Sequence, residues 1–170
     1  MITSEMVKHI QETLNGLTKG KNPNFGQDSD AGSAPDSGIL VVLTDGANVD
    51  SLSDSSGKKV LASSTVLGKN EDIFTAEGKT INVINIPYSE SISIGKGSAT
   101  GFAIVQVAST NLKEANIVGS NENADPRKKY IIDNAKLEGC SVLFSGTIST
   151  TQTIEENNSF SLSNIKITFN

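Results

Sequence analysis

Residues 38–46 read Gly-Ile-Leu-Val-Val-Leu-Thr-Asp-Gly, and the five apolar side chains at their centre, Ile39–Leu43, indicate the fold class of the chain. An uninterrupted apolar run of this length, bounded by turn residues, is typical of a buried β-strand. The segment that follows, Thr44–Gly57, is rich in Asp, Ser and Gly and predicts a long turn. This alternation of strand and turn continues to the end of the chain.

Short apolar segments recur at intervals of roughly ten residues, with no helical periodicity between them. They are Lys59–Val66, Asp72–Thr75, Lys79–Ile86, Ile92–Ile94, Phe102–Val107, Tyr130–Ile132, Val142–Phe144, Phe160–Leu162 and Ile165–Phe169. The composition agrees, because Ser, Thr, Asn and Gly dominate the polar residues. We therefore predict an all-β fold over residues 39–170, an antiparallel β-sandwich of the Ig-like or jelly-roll-like type.

The end of the chain, Val142–Asn170, predicts a closing hairpin whose last strand is integral to the sandwich. Apolar residues alternate there with Ser, Thr, Lys and Asn, and this alternation predicts one buried face. The residues that we expect in the core are Val142, Phe144, Phe160, Leu162, Ile165, Ile167 and Phe169.

The N-terminal region, residues 1–18, has a different pattern, because its apolar residues recur at spacings of three and four. These residues are Ile2, Met6, Ile10, Leu14 and Leu17. The spacing predicts a short amphipathic α-helix over residues 4–16, with Asn15-Gly16 as its stop signal. The apolar stripe packs on its own domain, or it docks on a partner or a sister subunit, and the sequence leaves both alternatives open.

Residues 19–38 are dominated by Gly, Pro, Asn, Asp and Ser, and they predict a linker or an extended arm between the helix and the sandwich. Phe25 is the single bulky side chain in this segment. If the N-terminal part of the chain contacts a partner, we expect the apolar residues of the helix and the arm to make the contact. They are Met6, Ile10, Leu14, Leu17 and Phe25.

The formal net charge of −5 argues against nucleic acid or an anionic membrane as a partner, because either would require clustered Lys and Arg. The single basic run, Arg127-Lys128-Lys129, predicts a solvated turn, with a contact patch as the alternative. The chain has no signal-peptide pattern at its start and no apolar run of membrane-spanning length. We therefore expect a soluble protein that is assembled in the cytosol.

Residues with catalytic potential are few and scattered. Gly95–Gly101 reads Gly-Lys-Gly-Ser-Ala-Thr-Gly, but the spacing of a phosphate-binding loop is missing and a strand follows instead of a helix. A Gly-rich turn is the better interpretation. Cys140 is the single cysteine and His9 the single histidine, on different elements, so we expect Cys140 to be structural.

Acidic side chains in the turns could bind calcium weakly. Asp45, Asp50 and Asp54 share one turn, and Asp28 and Asp30 lie in the linker. The ligand order of an EF-hand is absent, so turn formation by Asp is the preferred interpretation. We expect no cofactor, no metal and no enzymatic activity.

Five segments resemble, in the same order, the pattern of small structural proteins encoded by tailed bacteriophages. Those proteins combine a short helix, a strand ending in a TxG-like turn, a Gly-Ser/Thr-Ala strand, a VxFxGxVxT hairpin and a final alternating strand. The counterparts here are MVKHIQETLNGL (6–17), ILVVLTDGA (39–47), GSATGFAIVQV (97–107), SVLFSGTIST (141–150) and NSFSLSNIKITFN (158–170).

The resemblance implies a virion structural protein, with head decoration or an auxiliary capsid role as the leading expectation. Its partners would then be the major capsid protein or other virion proteins, and it would form a homo-oligomer for which a trimer fits local threefold axes. The expected location is the capsid surface, after assembly in the bacterial host cytoplasm. A head-fibre, neck or tail component and a carbohydrate-binding module are the alternatives.

Overall fold

The computed structural model describes residues 1–18, 37–52, 60–67, 72–83, 85–86, 91–115, 129–156, 160–163 and 165–170. Its elements are α1 (Ser4–Thr18), β1 (Ser37–Thr44), β2 (Val60–Ser64), β3 (Phe74–Glu77), β4 (Thr80–Val83), β5 (Ser91–Ser93), β6 (Gly97–Ala108), β7 (Leu112–Glu114), β8 (Tyr130–Ile132), β9 (Ser141–Ile154) and β10 (Lys166–Thr168). Every strand pair is antiparallel. The predicted all-β, sandwich-like fold with one short N-terminal helix is therefore confirmed.

The central sheet has five strands in the order β5-β2-β1-β6-β9, so the apolar run that begins at Ile39 forms its middle strand. Side chains of a strand point alternately to opposite faces. Ile39, Val41 and Leu43 accordingly enter one core cluster, and Leu40 and Val42 enter another. The run is apolar without interruption because both faces of the sheet are covered.

The first core cluster lies between the central sheet, α1 and a three-stranded sheet in the order β10-β4-β3. Its buried members include Val7, Leu14, Phe74, Ile81 and Ile104. The second core cluster lies on the opposite face, under the β7-β8 ribbon, and includes Val105, Leu112, Tyr130, Ile132 and Leu137. The β9 edge of the central sheet borders the first of these clusters.

Helix α1 is joined to the β-body by the side chain of Asn15. The Asn15 Oδ1 accepts hydrogen bonds from the backbone N–H groups of Ile73 and Phe74 at 3.1 and 3.0 Å, and its Nδ2 donates to the Phe74 carbonyl at 2.8 Å. The Asn15 amide thus pairs with the backbone at the start of β3 in the way that a neighbouring strand would. The helix continues through Asn15-Gly16 to Thr18, two residues beyond the predicted end, because Asn15 is a tertiary anchor here instead of a stop signal.

The predicted closing hairpin is wrong. β9 pairs with β6 in the central sheet, whereas β10 pairs with β4 in the three-stranded sheet. The SVLFSGTIST segment is likewise part of one strand, β9, and not a hairpin. Of the expected core residues in this region, Leu162 is buried and the other six are partly buried against the two clusters. The C-terminal region, from β9 to β10, therefore runs from the central sheet to the three-stranded sheet.

Several predictions fall on residues outside the described ranges. Among them are most of the linker at 19–38, whose last two residues instead begin β1, and Arg127-Lys128 of the basic run. No helix in the described part of the chain is long and apolar enough to cross a membrane. The division into residues 1–18, 19–38 and 39–170 stays a prediction.

Candidate interaction surface

The residues that the sequence predicts as partner contacts divide between the core and the surface. Leu14 is only 4% exposed and joins the first core cluster, while Ile10 and Leu17 are partly buried against that cluster. Met6 is 55% exposed. Phe25 lies outside the described residues. The helix therefore packs on its own domain and still leaves part of its apolar stripe at the surface.

An open apolar cleft of about 330 Å³ lies between α1 and β9. We call it the α1–β9 cleft, and its lining residues are His9, Ile10, Thr13, Leu14, Leu17, Leu143 and Phe144. Three of the predicted contact residues thus meet two residues of the C-terminal region. Exposed apolar concavities of this kind are a common feature of protein–protein interaction sites.

A β-bulge in β9 brings Leu143 to this cleft. Phe144 is paired with Ile104 and Val142 with Val105, so Leu143 has no partner residue on β6. Regular alternation would place Val142 and Phe144 on the same face. The bulge instead places Val142 against the second cluster and both Leu143 and Phe144 against the first. Sequence reasoning missed Leu143, because the apolar alternation contains no signal for the extra residue.

The two ends of the chain also meet near this part of the molecule. The ring of Phe144 contacts the ring of Phe169 edge-on, with centroids 5.9 Å apart and planes at 84°. The backbone N–H of Ile2, just before α1, donates to the Asn170 carbonyl at 3.4 Å. The cleft is therefore built by parts of the chain that are far apart in sequence.

β9 forms an edge of the central sheet, and β6 is its only strand partner among the described strands. Residues 141–154 contain no Asp, Glu, Lys, Arg or His. Edge strands usually carry charges that discourage pairing with another chain. The three-stranded sheet follows that rule, with Glu77 on β3 and Lys166 on β10, and the opposite edge of the central sheet, β5, is buried. Among the described strands, β9 is thus an edge without charge, half-buried over 142–146 and exposed over 149–153.

Two irregularities bound Phe144–Thr147, the longest stretch of β9 in continuous register with β6. The bulge at Leu143 lies before it, and after it the four residues Ile148–Thr151 stand opposite Thr100 alone. The regular part is held by the turn after β1, because Asn48 Nδ2 donates to Thr147 Oγ1 at 3.3 Å. The β9 edge therefore contains one short regular segment whose position is stabilised by the turn after β1.

Gly146 lies in this segment because a larger residue would collide with Phe102, its partner on β6. A Cβ atom on Gly146 would lie 2.6 Å from Cε1 of Phe102. Gly101 is restricted in the same way, since a Cβ atom there would lie 2.8 Å from Cα of Ala47 in the crossing turn. These two glycines let β6, β9 and the turn approach one another closely.

The reactive groups in the described part of the chain do not form a cluster. Burial raises the pKa of the Cys140 thiol from 9.0 to about 11, which keeps it protonated at neutral pH, and the side chain packs on the second core cluster. His9 is exposed, with Glu12 at 3.6 Å. The Gly-rich segment is only partly the predicted turn, because Gly95 and Lys96 precede β6 whereas Gly97–Gly101 form its first residues.

The described residues contain no group of three or more His, Cys, Asp and Glu side chains that could hold a metal ion. Of the five aspartates that the sequence suggested for calcium, Asp45 and Asp50 are within the described ranges. Asp28, Asp30 and Asp54 are not, so that alternative stays a prediction.

Comparison of the chain with protein-family models, with curated proteins and with solved structures finds no match. The fold alone places the chain among all-β, sandwich-like proteins with an N-terminal helix. Its function is inferred below from its own residues.

Proposed function

We propose that this protein is a non-enzymatic structural protein of a tailed-phage virion, which decorates or stabilises the capsid surface through protein–protein contacts. The observation that carries the proposal is the open α1–β9 cleft, where Ile10, Leu17, Leu143 and Phe144 combine to form an apolar docking surface. A decoration protein requires a stable body and an attachment surface. Many copies on one lattice turn weak contacts into firm attachment.

The way in which the five phage-like segments pack together also supports the proposal. They correspond to α1, β1, β6, β9 and the region that ends in β10. All five contribute residues to the first core cluster or pack against it. The resemblance to phage proteins therefore covers the elements that build this cluster, although SVLFSGTIST is part of one strand here instead of the hairpin of the phage pattern.

A head-fibre, neck or tail component is the alternative role in the virion, and copy number distinguishes it from decoration. A decoration protein is present in hundreds of copies per particle, whereas a neck or tail component is present in about a dozen. A carbohydrate-binding module would present exposed aromatic rings, but Tyr130 is buried and Phe144 packs on Phe169. The described surface thus favours protein contacts over sugar contacts.

The proposal is tested by charging the cleft and measuring occupancy on particles of the encoding phage that lack the protein. Ile10→Glu and Leu17→Glu place a carboxylate in the apolar cleft, and we expect at least a tenfold loss of occupancy, equivalent to about 1.4 kcal/mol. Ser163→Glu adds the same charge at an exposed position that does not line the cleft. This control should bind like the unmodified protein.

Circular dichroism and thermal unfolding of each variant would show that it is folded. Deletion of α1 is less useful, because Val7 and Leu14 belong to the core and Asn15 anchors β3. Full occupancy by the folded Ile10→Glu and Leu17→Glu proteins would contradict docking through the cleft. Failure of the unmodified protein to bind any particle would contradict the virion role itself.

A further inference from the structure

We propose that β9 is a self-pairing edge: the segment Phe144–Gly146 pairs antiparallel with the same segment of a second copy of this chain, with Ser145 opposite Ser145 of the second copy across a twofold axis perpendicular to the sheet. The pairing joins two five-stranded sheets into one and brings two α1–β9 cleft regions to the same face. This inference does not depend on the virion role, since it concerns only contacts between copies of the chain.

The first observation is the absence of charge along β9. Unpaired N–H and C=O groups on an exposed edge are a template for another strand, and charged residues normally prevent such pairing. The chain has a net charge of −5, so two copies repel each other over most orientations. Residues 141–154 contain no charged side chain, and contact along β9 therefore avoids placing one copy's carboxylates directly on the other's.

The second observation is the position of the cleft beside this edge. A strand that pairs with an edge gains backbone hydrogen bonds, while pockets next to the edge accept its alternate side chains. Phe144 points to the face of the α1–β9 cleft. A twofold axis perpendicular to the sheet keeps each face continuous, so Phe144 of the second copy lies on that face too. Its ring adds apolar surface next to Leu143 and Phe144 of the first copy.

The irregularities of β9 set the strength of the pairing. Phe144–Thr147 is the longest regular stretch, since a bulge at Leu143 and the four residues opposite Thr100 bound it. A short segment supplies few hydrogen bonds, so the dimer is weak: monomeric below about 10 μM and largely dimeric near 1 mM. Raising the salt concentration strengthens it, because screening reduces the repulsion between acidic copies.

The oligomeric state is measured by sedimentation velocity over this concentration range, with and without added salt. Thr147→Lys adds a charge within the regular segment at an exposed position, and we expect dimerisation to weaken at least tenfold. Thr147→Val removes the Asn48 hydrogen bond without adding a charge, and it should weaken dimerisation much less. Thr153→Lys adds the same charge to the same strand beyond the second irregularity, opposite Ser98, and should leave dimerisation unchanged. Thermal unfolding checks that both variants are folded.

A cross-link provides a second readout that does not require a disruptive substitution. In a Cys140→Ser background, Ser145→Cys places a thiol close to the twofold axis, where paired Cα atoms are about 4.5–5.5 Å apart and a disulfide can form. Thr153→Cys is the control far from the axis. We expect rapid oxidation to a covalent dimer for Ser145→Cys alone. Equal cross-linking of both variants overturns the proposal.

Sedimentation as a monomer up to 1 mM overturns it as well. So does a dimer that Thr147→Lys leaves intact. A trimer would also contradict the proposal, because self-pairing of one edge closes with two copies.

Discussion

At the scale of single residues, Asn15 links the sequence pattern to the tertiary fold. It is 5% exposed and uses both ends of its amide on the backbone at the start of β3. In the sequence it reads as the first half of an Asn-Gly stop signal. The tertiary bonds outweigh that local preference, since an unpaired buried N–H costs about 1–3 kcal/mol.

Asn15→Ala removes these bonds and leaves the backbone N–H groups of Ile73 and Phe74 without their partner. We expect the free energy of unfolding to fall by about 2 kcal/mol or more, as measured by chemical denaturation. Thr13→Ala is the control, because Thr13 Oγ1 also bonds a backbone carbonyl of α1 but is exposed. Equal losses for the two variants would show that Asn15 does not anchor the helix.

Substitution of Gly146 and of Gly16 by Ala should change the stability of the protein in opposite directions. A Cβ on Gly146 would collide with Phe102, and we expect Gly146→Ala to destabilise the protein by about 1–3 kcal/mol. A Cβ on Gly16, inside α1, meets nothing within 4 Å, and Gly16→Ala should stabilise by about 0.5–1 kcal/mol. The melting temperatures of both variants measure the two changes: we expect Gly146→Ala to lower the melting temperature and Gly16→Ala to raise it. A stabilised Gly146→Ala protein would mean that Phe102 moves aside freely.

At the scale of elements, the sequence predicts well what local patterns control. The apolar run from Ile39 marks a buried strand, because both of its faces are covered, and the spacing of Met6, Ile10 and Leu14 marks the helix. The partner of each strand could not be predicted. β9 and β10 read as a hairpin because they are adjacent in sequence, but each finds a better partner in a different sheet.

The candidate site could be predicted only from its helical side. Ile10, Leu14 and Leu17 were expected to contact a partner, and they do line the α1–β9 cleft. The strand side depends on the bulge at Leu143, which reverses the faces of β9 from that point. A one-residue irregularity of this kind depends on tertiary packing against β6, and no short-range pattern specifies it.

The terminal strand β10 provides a test at the element scale. It pairs with β4, and Phe169 just after it packs on Phe144. Removal of Ile165–Asn170 uncovers the first core cluster, so we expect loss of a cooperative thermal transition. Removal of Asn170 alone is the control and should change the melting temperature little. A cooperative transition in the longer truncation would show that β10 is dispensable for the core.

At the scale of the whole molecule, the central sheet is covered on both faces, and this leaves few apolar surfaces for a partner. The α1–β9 cleft and the uncharged β9 edge adjoin each other on one side of the protein. The body is thus stabilised by its own two core clusters, and we propose that the β9 side makes the contacts with other chains. Such a division suits a protein that attaches to a repeating lattice.

The number of copies of this chain on purified particles of the encoding phage, measured by quantitative mass spectrometry against the major capsid protein, tests the proposed decoration role directly. We predict hundreds of copies per particle, in a simple ratio to the capsid subunits. About a dozen copies would place the protein in the neck or tail. Its absence from purified particles would contradict a virion role altogether.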